Sequence, residues 1–107
     1  MLAADGKDIG GFILSSVNAP LAHIVTLDVA QTHRRSGIGS MLLNAMEKKV
    51  GAQGVHTVLL ETAVDNQAAV AFWQRHGYRI EGVTKRYYLG RTDAYEMRKL
   101  LPFPQKP

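Results

Sequence analysis

Thr32-His-Arg-Arg-Ser-Gly-Ile-Gly-Ser40 is a basic, glycine-bearing turn between two segments of different periodicity. Before it, His23-Ile-Val-Thr-Leu-Asp-Val29 is apolar and rich in β-branched residues, the composition of a strand. After it, Ile38, Met41, Leu42, Ala45 and Met46 recur on one face of a helix. The predicted unit is strand, tight loop, helix. The first turn of a helix has N–H groups with no partner inside the helix, and the helix dipole favours negative charge there. Gly37 and Gly39 have no Cβ, so a ligand can approach the backbone closely. Arg34 and Arg35 add positive charge. Two readings follow: a pyrophosphate site, or an ordinary turn with a solvated basic edge.

Two common phosphate loops are excluded. The dinucleotide fingerprint G-x-G-x-x-G needs a third glycine, and position 42 is leucine. The G-x-x-x-x-G-K-[ST] loop of nucleoside-triphosphate enzymes is absent. What stands here is R-x-x-G-x-G, from Arg34 to Gly39.

Working outward, Leu2–Ala4 and Ile9–Val17 read as strands, with Asp5-Gly-Lys7 turning between them and Asn18-Ala-Pro20 ending the second. The helix that opens at Gly37 runs to about Lys49 and ends near Gly51 and Gly54. Val55–Thr62 reads as a strand with Val55, Thr57, Leu59 and Glu61 on one face. Asp65 or Asn66 caps a second helix. Its buried stripe is Ala69, Phe72, Trp73 and His76, and Gly77 stops it. Tyr78–Tyr88 and Asp93–Leu101 read as two strands joined by Leu89-Gly-Arg-Thr92. The order is β-β-β-α-β-α-β-β: an α/β (α+β) fold, with helices packed on a mixed, mostly antiparallel sheet. Residues 1–101 form one domain and residues 102–107 a tail.

The chain has 107 residues, 46% hydrophobic and 21% charged, which suits a single globular domain. With no cysteine, disulfides, thiolate zinc sites and a cysteine nucleophile are excluded. His23, His33, His56 and His76 show no metal-ligand spacing, so no metal is expected. No apolar run approaches the roughly 18 residues of a membrane span, and no signal-peptide pattern opens the chain. The expectation is a cytoplasmic protein that binds neither membrane nor nucleic acid, since no aromatic-interleaved basic stripe is present. The net charge of +4 suits a polyanionic ligand.

Three blocks in order carry a family resemblance. R-x-x-G-x-G at Arg34–Gly39 resembles the coenzyme A pyrophosphate loop of the GNAT acetyltransferases. Asn66, Ala69, Phe72, Trp73, Gly77 and Tyr78 fall in register with that superfamily's N-x-x-A-x-x-F/L-Y/W-x-x-x-G-F/Y pattern. Arg86-Tyr-Tyr-Leu-Gly-Arg-Thr-Asp-Ala-Tyr-Glu-Met97 resembles the ribosomal-protein-alanine and protein N-terminal acetyltransferase branch. The resemblance covers roughly positions 1 to 101.

The resemblance implies an acetyl-CoA-dependent N-acetyltransferase. Its acceptor would be a protein N-terminal α-amine or a small-molecule amine. A coenzyme A-binding module without catalysis is the alternative. The strand end Leu27, Asp28 and Val29 would bind the pantetheine arm through its backbone. Arg34, Arg35, Ser36, Gly37, Ile38, Gly39 and Ser40 would hold the pyrophosphate. Asn66 would contact the coenzyme, cap its helix, or do both. Glu61 matches the general base, or is a rim carboxylate. Tyr87 and Tyr88 match residues of the acceptor groove, or pair as sheet aromatics. Trp73 stands where the family commonly has a tyrosine that acts as general acid. An indole N–H is no useful acid, so Trp73 reads as packing along the pantetheine. The family usually begins with a strand and two helices before the first strand seen here. Truncation, a misplaced start, a homodimer or a partner subunit would account for that missing wall.

Overall fold

The computed structural model describes residues 2–5, 8–29, 37–88 and 92–102. Six strands and two helices follow in the predicted order: β1 (Leu2–Asp5), β2 (Asp8–Asn18), β3 (Leu21–Val29), α1 (Ile38–Ala52), β4 (Thr57–Ala63), α2 (Gln67–Arg75), β5 (Arg79–Tyr88) and β6 (Thr92–Leu100). They form one sheet in the order β1-β2-β3-β4-β6-β5. All neighbours are antiparallel except β3 and β4, which α1 joins as a crossover.

The core lies between the sheet and the helices. Ile13, Ile24, Val58, Leu60 and Met97 from the strands meet Leu42, Leu43, Met46 and Val50 of α1 and Trp73 of α2. In β4 the buried side chains are Val58, Leu60 and Thr62, while Thr57, Leu59 and Glu61 are half-buried. The face expected to carry Glu61 is therefore the one turned away from the helices. Val55 does not share it, because Val55 precedes the strand and is fully buried. On that open face Leu14, Leu21, Val25 and Leu100 stay exposed.

Val25 explains how β3 fits. Leu14 pairs with Thr26 and Ser15 with Ile24, which leaves Val25 as an extra residue. Such a bulge bends its strand and shifts the side-chain alternation. Ala22 and Ile24 face the core before it, and Leu27 packs against the core after it. Gly11 of β2 meets a close approach at the far end of the same pairing. A Cβ there would stand 2.7 Å from the carbonyl oxygen of Asp28 and 3.3 Å from Cδ1 of Leu42.

Both helices stop by one device. After α1, Gly54 takes φ 93°, with Gly54 N–H donating to Gly51 O and Val55 N–H to Val50 O. After α2, Gly77 takes φ 90°, with Gly77 N–H donating to Gln74 O and Tyr78 N–H to Trp73 O. This is the paired-bond stop of a left-handed glycine, with an apolar residue following it into the core. Here that residue is Val55 or Tyr78, both buried. Gly51 itself lies inside α1, which runs past the predicted Lys49 to Ala52. One tie crosses three elements: Tyr78 OH donates to Glu47 Oε2 at 2.7 Å, and Lys99 Nζ donates to Glu47 Oε1 at 2.9 Å.

Candidate active site

The two parallel strands at the centre of the sheet part company. β3 and β4 pair only at Leu21–Thr57, Ala22–Val58 and His23–Leu59. Beyond those rungs β3 continues along β2 to Val29, and β4 continues along β6 to Ala63. The ladder thus forks at His23 and Leu59. The bulge at Val25 lies two residues further along β3, where added twist turns that strand away.

The N-terminus of α1 sits at the mouth of the fork. Gly37 is its N-cap, at φ 86° and ψ 2°, with no side-chain cap. The first helical bond runs from Met41 N–H to Gly37 O at 2.9 Å, so the N–H groups of Ile38, Gly39 and Ser40 stand ahead of the helical ladder. A Cβ on Gly39 would stand 3.4 Å from Cε1 of Phe72 and 3.6 Å from Cγ2 of Val29. The tip of β3, the first turn of α1 and the flank of α2 therefore converge. Of the expected coenzyme residues, Leu27 and Val29 are half-buried and Asp28 is exposed. Arg34, Arg35 and Ser36 lie outside the described residues, as do the side chains of Tyr87 and Tyr88 at the end of β5.

The other expected residues find partners. Ser40 Oγ is 2.9 Å from Nε2 of His76. Asn66, not Asp65, caps α2: its Oδ1 accepts from Ala69 N–H at 3.1 Å. Trp73 is 7% exposed and meets Phe72 and Tyr78 edge-on, at 5.1 and 5.4 Å between ring centroids. A side chain so covered packs in the core.

Glu61 comes into contact with a residue that sequence reasoning missed. His23 Nε2 lies 2.7 Å from Oε1 and 3.0 Å from Oε2 of Glu61. The two side chains are 40% and 21% exposed, so both can be reached from outside. An ionised carboxylate only accepts, so Nε2 carries the proton and Nδ1 remains the ring's other nitrogen. The signal was available: His23 and Glu61 each lie at the fork end of a neighbouring strand. Without the register of β3 against β4, nothing put them together. A pocket of about 230 Å³ on this open face is lined by Leu59, Glu61, Glu81, Glu96, Met97 and Arg98 among others. Arg98 pairs with Glu81 at 3.2 Å, and Thr84 Oγ1 donates to Glu96 at 2.7 Å.

Burial lowers the pKa of the His76 ring, with Lys99 and Arg75 acting in the same direction and Glu47 opposing them. The Tyr78 hydroxyl is pushed far up by burial, the Glu47 charge and its hydrogen bond to Glu47. Among the described residues, no group of three acidic or imidazole side chains could hold a metal. No described helix is long and apolar enough to cross a membrane.

Known proteins share this arrangement of elements. N-alpha-acetyltransferase 30 of Schizosaccharomyces pombe is 36% identical over 73 residues, which are 68% of this chain and 49% of that protein. An uncharacterised N-acetyltransferase of Methanocaldococcus jannaschii is 34% identical over 104 residues, 96% of this chain and 66% of the relative. The crystal structure of Chaetomium thermophilum Naa20 in complex with a bisubstrate analogue superposes with a TM-score of 0.87 at 30% identity, covering 94% of this chain and 64% of that one. The chain thus spans about half to two-thirds of the length of these proteins. The family model described as the acetyltransferase (GNAT) family matches residues 1–78, and with the forked sheet and the glycine-capped helix it shows that this chain belongs to that family.

Proposed function

We propose that the protein moves an acetyl group from acetyl-CoA to a protein N-terminal α-amine. The observation that carries this reading is the fork, which sets the His23–Glu61 pair beside a gap in the ladder. The pantetheine arm would lie in the fork as an added strand along Leu27–Val29. The pyrophosphate would sit at the N–H groups of Gly37, Ile38, Gly39 and Ser40, with Arg34, Arg35 and Ser36 contributing beside them. Asn66 would reach the coenzyme from the start of α2, and Tyr87 and Tyr88 would border the acceptor.

The acceptor would approach from the open face, where Glu61, Glu81 and Glu96 favour an ammonium group. Glu61 and His23 would take its proton, directly or through water. The neutral nitrogen then attacks the thioester carbonyl, a C–N bond forms, the C–S bond breaks, the coenzyme leaves as thiolate, and the nitrogen's remaining excess proton passes through water to that thiolate. A backbone N–H of β3 near Val29 would polarise the carbonyl. At pH 7, deprotonation costs about 1–1.4 kcal/mol for an α-amine and about 4.6 kcal/mol for lysine. A half-buried carboxylate–imidazole pair that solvent can reach suits the smaller cost. Trp73 supplies no general acid, and a thiol of pKa about 8.5 can leave without one. The names of the relatives support an α-amine over a small-molecule acceptor.

The test is thiol release from acetyl-CoA with a panel of peptide N-termini, beside a calorimetric titration of the coenzyme. Glu61→Gln is expected to cut turnover by about 10²–10⁴-fold and leave coenzyme affinity intact. A folded wild type that binds no acetyl-CoA would sink the reading. Binding without turnover on any amine would reduce the chain to a coenzyme-binding module.

A further inference from the structure

Ser40 and His76 are 36 residues apart and meet at the mouth of the fork, Oγ to Nε2 at 2.9 Å. Ser40 is the third residue of α1, and His76 is the C-cap of α2. The imidazole also lies on Phe72, with ring centroids 4.6 Å apart, and Phe72 covers Gly39. The ring is therefore held by two residues that border the first turn of α1.

A serine hydroxyl has one proton and two lone pairs, and it turns to suit its partner. If Nε2 bears a proton, the ring donates to Oγ and the hydroxyl proton is left to point outward. If Nε2 is bare, the hydroxyl donates inward and Oγ shows lone pairs to the helix N-terminus. An anion there would be attracted in the first state and repelled in the second.

We propose that His76 is a positioning residue for the coenzyme, whose phosphates select the ring form with a proton on Nε2 so that Ser40 can donate its hydroxyl to them. This rests on the coenzyme site described under Proposed function. His76 does not touch the ligand and acts through Ser40. The charges that face the ring are Glu47 from α1, Lys99 from β6 and Arg75 from α2. They oppose one another, and burial lowers the pKa of the ring, which favours its neutral form in the free protein. An added phosphate charge would favour the protonated ring. Coenzyme binding should then take up a proton in mildly acid solution, and affinity should rise as pH falls.

The experiment is calorimetric titration of coenzyme A between pH 5 and pH 8 into wild type, Ser40→Ala, Ser40→Thr and His76→Gln. The coenzyme's own phosphate titration is common to all four and cancels in their ratios. Wild type should gain affinity toward low pH relative to His76→Gln, whose amide can donate at every pH. Ser40→Ala should bind about tenfold more weakly, the worth of one hydrogen bond to a charged group, and Ser40→Thr should restore binding. Nitrogen chemical shifts of the His76 ring in the wild type provide a readout that needs no variant: coenzyme A should move the proton to Nε2 or protonate both nitrogens. A wild type that binds coenzyme A with an unmoved His76 ring, or a Ser40→Ala protein that binds as tightly, overturns this proposal alone. A wild type that binds no coenzyme A at any pH overturns the reading beneath it as well.

Discussion

Tyr78 shows how much can hang on one hydroxyl. It is buried, it closes α2, and it donates to a carboxylate that also holds Lys99. Tyr78→Phe would leave Glu47 with Lys99 as its remaining partner in this tie. The expected loss is about 1–3 kcal/mol, read by urea denaturation. Because the folded pKa of Tyr78 is raised, its contribution is present below the unfolded value of about 10 and is lost as pH rises above it. Wild type should therefore lose stability above pH 10 more steeply than Tyr78→Phe, and parallel curves would remove Tyr78 from alkaline unfolding. Residues differ in how plainly they announce themselves. Glu61 was legible because a carboxylate closing an apolar strand stands out, and Asn66 because a helix start needs a cap. His23 was not, since its meaning comes from Glu61, 38 residues away across a parallel ladder. Trp73 was legible as a member of the buried stripe of α2, where it packs in the core.

Elements were more legible than contacts. Helical spacing marked both helices, alternation marked β4, β-branched composition marked β3, turn residues bounded the first two strands, and glycines marked both helix ends. The bulge at Val25 left no trace, because an apolar β-branched run reads alike with or without one extra residue. It is the bulge that moves Leu27 to the core side. Gly11 in β2 stands where only a residue without Cβ fits. The clash that any Cβ would meet is with backbone, which cannot swing aside as a side-chain tip could. Gly11→Ala should cost about 1–3 kcal/mol as an overpacking change. For a chain of this size that lowers Tm by about 4–8 °C per kcal/mol, measurable by calorimetry. An unchanged Tm would mean that β2 and β3 can slide apart without cost.

At the scale of the molecule, the helices cover one face of the sheet and leave the other to solvent. The proposed coenzyme site and the His23–Glu61 pair meet through the fork between those faces. The fork is also an interruption in the sheet's own bonding. A pantetheine arm lying along Leu27–Val29 would run beside β3 within the fork, so the ligand would become a seventh strand beside the six of the sheet. Coenzyme A at a hundredfold excess over its dissociation constant should then stabilise the protein by about 2.7 kcal/mol. Hydrogen–deuterium exchange should slow along β3 beyond the bulge and along the far half of β4. Slowing confined to the first turn of α1 would mean that the phosphates bind while the arm hangs free. If the arm does complete the sheet, supply of the coenzyme governs more than catalysis. A cell starved of acetyl-CoA would hold the protein in its looser, more degradable form, and the protein's abundance would follow the metabolic state that its substrate reports.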